Sequence, residues 1–453
     1  MADPPLRVVW AYDREHLRHP FIVLGLTTLV ESGCAATVVS CDKAAAASYR
    51  SFDDFSFAKR LANWSRRTTD RKVITRHLRA IKIAAIRVRR DISQSRGAKR
   101  TAHRARLAGL LLAKNALRGR RTLLKWLAYL LFHTVDTWQA YARGFARLCR
   151  IEADVMIGSR TEVAVPTCAI AKLRGLRFVY YPFELYGEQV SRPRWYLLAL
   201  ERLMLRRWVD AVVTQNEHRA AILVEERGSR VAPAIVHNYK RVREVAGPGR
   251  LKAELGISAG RRIVLYEGYL VSGRWLDRLA QTVFHLPDDV VLVFLGEEQL
   301  KWLRRSASAL EAPLATGRLI IAPPVKHDIL LDYVVDADVG VVIYDDAVRN
   351  NLYCEPGKLT DYVSAGVPVI APDFPTIGAV VKTNGIGVCF QGDRPEAIAA
   401  AIQAVLDHPK SAWRPALHRA AAKLTWETQA HNLVAAVTAS SEAASLVSTH
   451  STP

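Results

Sequence analysis

Twelve short apolar runs punctuate this chain of 453 residues and constrain its fold more than any other feature. The first half holds Arg7–Tyr12, Ala36–Cys41, Ala153–Ser159, Phe178–Phe183, Ala211–Asn216 and Ala234–Tyr239. The second half holds Ile263–Gly268, Val290–Gly296, Arg318–Pro324, Val339–Asp345, Pro368–Asp373 and Gly385–Phe390. The runs are continuous rather than alternating, as parallel strands buried on both faces require. Segments of amphipathic helical spacing, such as Leu276–Phe284 and Pro395–Leu406, fill the gaps. Strand–helix alternation repeated twice predicts an α/β chain with two Rossmann-like, doubly wound parallel-sheet domains facing a cleft. The expected boundaries are 1–240 for the first domain and 263–425 for the second. A polar linker with Gly247–Pro248–Gly249 spans 241–262, and a small-residue tail at 441–453 is expected to be flexible.

Charge sets one segment apart. The net charge is +21, yet residues 59–125 contain 22 Lys/Arg and only two acids, Asp70 and Asp91. This is a basic insert, at about 57–150, in an otherwise neutral body. Within 71–90, Ile74, Leu78, Ile81, Ala85 and Val88 make one helical stripe flanked by Arg76, Arg79, Lys82 and Arg87. Further apolar patches follow at Leu107–Ala113 and Leu123–Trp138, the latter including Trp126. Basic amphipathic helices with aromatic edges suit an anionic membrane surface, where each basic residue contributes about 1 kcal/mol. The same stripes also suit packing on the first domain with a solvated basic face. Nucleic acid is not expected as a partner, because only charge points to it.

The longest apolar run, Trp126–Phe132, is far short of the ~20 residues that span a bilayer. The N-terminus lacks a signal-peptide core. The expectation is a cytoplasmic protein held peripherally at the inner face of the membrane. The six cysteines have no metal or redox spacing and are expected to be buried thiols.

The segment Asn350–Ile370 is the strongest local signal. Pro356 suits the first turn of a helix and Gly366 its stop. Leu359, Tyr362 and Val363 share an inward face, and Lys358 and Asp361 share another. The helix start at Pro356–Gly357 offers amides and a positive dipole end to a pyrophosphate. Lys358 adds a cation there, and Asp361 can accept from ribose hydroxyls. The spacing equally suits a solvated Lys358–Asp361 ion pair.

This stretch resembles the nucleotide-sugar motif of the group 1 family of GT-B glycosyltransferases, the glycogen-synthase- and sucrose-synthase-like enzymes. A membrane-associated relative, such as a glucuronosyltransferase-like exopolysaccharide enzyme, fits equally. Lys358, Asp361, Gly366, Pro368 and Val369 carry the match. The family's ribose acid is usually Glu; here it is Asp361. The Glu that many members carry eight residues earlier is Tyr353 here, with Glu355 two residues on. Tyr266–Leu270 with Gly273–Arg274 resembles the family's first strand and phosphate loop, in which Gly268 lets the backbone approach and Arg274 contacts phosphate. His327–Gly340 resembles the elements around the base, where Asp336 and Asp338 are expected to be structural. Leu424–Glu427 resembles the start of a closing helix, 426–440, that crosses back to the first domain.

The resemblance implies that the second domain binds the donor and the first the acceptor. Tyr181–Glu188 resembles the family's segment after a central strand, which makes Glu184 the candidate base or acceptor-binding acid. Glu188 is the reserve candidate, and His19 also follows a strand. Glu184 equally suits an ion pair with an arginine, and His19 a structural role. Val213–Asn216 and His237–Asn238 resemble strand ends near the cleft. The implied activity is metal-independent transfer of a hexosyl or glycuronosyl group from a UDP- or GDP-linked sugar, with no further cofactor. The basic insert adds the expectation of a membrane-proximal, lipid-linked glycan as acceptor. A sugar-nucleotide epimerase, or an inactive membrane- or nucleic-acid-binding protein on the same fold, is the alternative.

Overall fold

The computed structural model describes residues 4–12, 20–40, 144–188, 195–243, 245, 247–271, 274–296 and 307–439. The chain divides into two compact units. Met1–Tyr12, His16–Val39 and Ile151–Pro453 form the first, and Asp13–Glu15 with Ser40–Arg150 the second. Nearly all of the basic segment falls in the second unit and outside the described residues.

Both sheets belong to the first unit. The N-terminal sheet consists of β1 (Arg7–Tyr12), β2 (Ala35–Ser40), β3 (Val155–Gly158), β4 (Arg177–Tyr180), β5 (Ala211–Thr214) and β6 (Ala234–Ile235). Its order is β2-β1-β3-β4-β5-β6, and β1 through β3, β4 and β5 to β6 pair in parallel. The C-terminal sheet consists of β7 (Arg262–Glu267), β8 (Val290–Leu295), β9 (Leu319–Ala322), β10 (Val339–Val341), β11 (Val369–Pro372) and β12 (Gly387–Phe390). Its order is β12-β11-β10-β7-β8-β9, with every pairing parallel. Each of the twelve apolar runs overlaps one strand, and β2, β4 and β7 begin one residue before their runs.

Counted within its own half, the second order is the 3-2-1-4-5-6 of dinucleotide-binding folds. The order reverses between β7 and β10, and the loops after these strands open a crevice there. Such a sheet must bury both faces. Ile263 and Leu265 enter one apolar cluster while Val264 and Tyr266 enter the other.

Two connections differ from expectation. The segment 241–262 is not wholly a polar linker, for it contains the helix Arg250–Leu255. Asp336 holds its start by accepting from the amides of Gly249 and Lys252. Asp338 accepts from the Ile263 amide at 2.7 Å, so both aspartates are structural. The returning helix spans Ala430–Thr438 rather than beginning at 426. Trp426 precedes it, buried, and donates to Thr28 Oγ1 at 2.8 Å. Leu433 and Val437 join the core around Trp10, so the chain does cross back to the N-terminal sheet.

Candidate active site

The helix Gly357–Ser364 stands at the switch point because one tyrosine pins it there. Tyr362 OH donates to Leu265 O at 2.8 Å and accepts from the Glu267 amide at 3.1 Å. Its ring fits only because residue 340 is glycine: a Cβ there would lie 2.4 Å from Tyr362 Cγ. Pro356 is the residue before the helix, not part of its first turn. Gly366, with φ of +65°, follows it as expected.

Lys358 and Asp361 are buried, at 7% and 4% exposure, and do not form a solvated pair. Lys358 Nζ lies 3.8 Å from the centre of the Tyr266 ring and has no hydrogen-bond acceptor. A buried cation without an acceptor is costly, and a ligand that supplies one removes that cost. Asp361 departs from expectation. Its carboxylate accepts from Lys240 Nζ, so a lysine already holds the place proposed for ribose hydroxyls. Buried Glu267 completes the group. Burial first, and then the Asp361 charge, push its carboxyl above the ordinary range, while Lys358 and Lys240 pull it down.

The phosphate-loop residues cluster with Lys358. Gly268 has φ of +115°, and a Cβ there would lie 3.5 Å from Lys358 Nζ. Arg274 Nη1 donates to Tyr266 OH at 3.1 Å, and its guanidinium lies 5.0 Å from the centre of the Tyr344 ring. The tyrosines thus hold two cations side by side.

A cavity of about 500 Å³ opens in front of this group, between the sheets. Arg274, Tyr344, Asp345, Glu355 and Gly357 line it from the C-terminal half. Phe183, Glu184, Gln215, Arg219 and Asn238 line it from the N-terminal half. Cys354 also reaches it, but burial pushes that thiol up to about 12, so it stays neutral.

Arg219 is a site residue that the sequence reading did not single out. Its Nε donates to Tyr353 O at 2.9 Å, and its Nη1 to Phe183 O and Gln215 Oε1 at 2.6 Å each. Its Nη2 donates to Glu184 Oε2 at 3.1 Å and Asn350 Oδ1 at 3.0 Å. The signal for it was Asn216, whose side chain accepts from the Arg219 amide and starts a helix three residues before the guanidinium.

Several candidates fall elsewhere. Glu188 does not line the cavity; it pairs with buried Arg227 at 3.0 Å. Tyr353 turns away to stack on His218, with ring centres 5.1 Å apart. Glu355 reaches the cavity but is bonded to His237 Nδ1 and the Asn238 amide, both at 2.9 Å, so a neighbouring strand end occupies its oxygens. His19, Arg76, Arg79, Lys82, Arg87 and Trp126 lie outside the described residues. Among the described residues no group of three or more His, Cys, Asp or Glu is arranged to hold a metal.

Two parallel-sheet halves with a cation-lined crevice between them define the GT-B class of α/β fold. Residues 261–408 match the family model for group 1 glycosyl transferases. Solved structures share the fold. HepE from Anabaena, in complex with UDP-glucose, aligns over 95% of this chain and 98% of its own, with a TM-score of 0.58 at 11% identity. A glycosyltransferase from Rickettsia africae aligns over 99% and 100%, with a TM-score of 0.58 at 11% identity. The lipopolysaccharide outer core galactosyltransferase WaaB aligns over 95% and 99%, with a TM-score of 0.53 at 9% identity. No curated protein matches the chain.

Proposed function

We propose that the protein transfers a hexosyl or glycuronosyl group from a nucleotide-diphosphate sugar to a membrane-proximal, lipid-linked glycan, without a metal, in polysaccharide or glycolipid synthesis. The observation that carries this reading is Lys358, a buried ammonium with no acceptor, one residue behind Gly357, which lines the cavity at the start of the same helix. A diphosphate supplies the missing acceptors. Glycosyl transfer from such a donor asks two things of a protein: neutralising the departing diphosphate and placing the acceptor hydroxyl. Lys358, Arg274 and the amides at Gly357 serve the first. Glu184, on the opposite wall, serves the second and takes the hydroxyl proton in an inverting reaction.

UDP is favoured as the donor nucleotide because HepE was solved with UDP-glucose, and GDP is the next candidate. WaaB is a lipopolysaccharide outer core galactosyltransferase, which supports a lipid-linked acceptor. The basic segment at 59–125 supports a cytoplasmic enzyme attached to the inner membrane face. No described helix is long and apolar enough to cross a membrane.

Calorimetry with UDP and GDP tests the reading. Binding of one of them by the natural chain, and its loss in Lys358→Ala, is expected. Binding of neither would overturn the reading. Turnover of the sugar nucleotide without an acceptor would replace transfer with epimerisation.

A further inference from the structure

The helix Trp195–Arg207 follows β4 and has two unlike faces. Leu197, Glu201, Met204 and Leu205 are buried. Glu201 is the helix's only acid, and it points inward. It accepts from Tyr180 OH at 2.5 Å and from Thr161 Oγ1 at 3.0 Å. The helix itself therefore turns no acid outward, although the charge of Glu226 reaches Arg202. Its outward face carries Trp195 at 78% exposure, with Tyr196, Leu200 and Leu203 also exposed. Exposed Arg202, Arg206 and Arg207 stand beside them toward the C-terminal end. Leu200 and Leu203 stand one turn apart, apolar side chains of a kind that is normally covered.

We infer that this face docks on an anionic lipid bilayer. Aromatic and aliphatic side chains with arginines in excess over acids match an interface of acyl chains below phosphate headgroups. A second copy of the chain fits the face poorly, because a two-fold contact would set the same three arginines against each other. The helix also sits where docking matters. The segment that carries Glu184 packs on it: a Cβ on Gly187 would lie 3.1 Å from Leu198 Cδ2. The inference rests on the membrane-proximal acceptor of the proposed function and is independent of the donor.

The test is co-sedimentation of the full chain with phosphatidylcholine vesicles, with and without phosphatidylglycerol. The natural chain is expected to bind the anionic vesicles. Trp195→Ser/Leu200→Ser/Leu203→Ser is expected to bind them at least ~tenfold more weakly with its unfolding midpoint unchanged. Arg202→Gln/Arg206→Gln/Arg207→Gln is expected to weaken binding to the anionic vesicles more than to the neutral ones, with the basic segment 59–125 retaining the rest of the preference. The single variant Trp195→Ser provides the same reading, in the same direction, should the triple variant fold poorly. Equal vesicle binding by the serine variants and the natural chain overturns the assignment to this helix alone. Failure of the natural chain to bind any vesicle overturns the membrane part of the proposed function as well. A natural dimer that the serine variant converts to a monomer assigns the face to a second copy instead.

Discussion

Arg219 and Glu184 form an ion pair of unequal partners: the guanidinium is 3% exposed and the carboxylate 44%. The guanidinium is the fixed member. All five of its N–H groups have acceptors, drawn from both halves of the chain. One side chain therefore orients the candidate base and ties it to the donor-side segment Asn350–Tyr353. Lysine in its place keeps the charge but has three donors and no planar fork. Arg219→Lys is expected to lower stability by about 2–4 kcal/mol, because at least two buried acceptors lose their partner. It is also expected to lower kcat by roughly 10–100-fold, since small displacements of a reacting group are amplified in rate. Denaturant unfolding and steady-state kinetics check the two effects separately. A full kcat in the lysine variant would show that Glu184 needs no such support.

Lys358 gives a prediction in which stability and binding move in opposite directions. Its ammonium is buried beside Tyr266 without an acceptor, a state that disfavours the folded protein in the absence of ligand. Lys358→Met keeps the packing and removes the charge. The variant is expected to unfold at the same or a higher denaturant concentration, by up to about 2 kcal/mol. Its affinity for the nucleotide is expected to fall roughly 10–100-fold, the value of a charge-assisted contact to phosphate. A lysine with a purely structural role would give the reverse, a lower midpoint with nucleotide affinity intact.

The sequence made both sheets legible because parallel strands buried on two faces leave continuous apolar runs with few other interpretations. The helix Gly357–Ser364 was legible for the same local reasons, through Gly366 and its inward face. What was not legible is partnership across the chain. Asp361 faces Lys240, 121 positions away, and Glu355 faces His237, 118 positions away. Spacing along one helix says nothing about charges arriving from another domain. Glu188 shows the same limit. It sits four residues after Glu184 in the same segment, yet Arg227 draws it away from the cavity. Arg219 was missed because its role depends on five acceptors that meet only in the folded chain.

Gly340 tests whether the helix position controls the site. A methyl group at 340 would overlap the Tyr362 ring, which cannot retreat while its hydroxyl is held by Leu265 O and the Glu267 amide. Gly340→Ala is expected to cost about 1–3 kcal/mol of stability, the range for overpacking a filled core. Because Tyr362 lies one turn after Lys358, nucleotide affinity should fall with it. Gly340→Ala/Tyr362→Leu gives the methyl room and should recover part of the stability. Denaturant curves for the single and double variants decide the point, and an additive double variant would sink the steric account.

The pair between His237 and Glu355 makes stability depend on pH with a definite sign. Burial works against the protonated imidazole, but the hydrogen bond and charge of Glu355, with help from Glu217, outweigh it. The pKa of His237 therefore lies above the ordinary 6.5. A group that binds its proton more tightly when folded adds stability wherever the unfolded chain has to take up that proton less readily. The contribution of His237 is complete below the unfolded value and disappears as pH rises through the folded one. His237→Gln keeps a polar side chain and abolishes the titration. The stability difference between natural chain and variant is expected to be largest below pH 6.5 and to shrink steadily above it. Chemical denaturation across that range measures it. A difference that stays flat or grows with pH would mean that Glu355 does not hold the imidazole in its charged form.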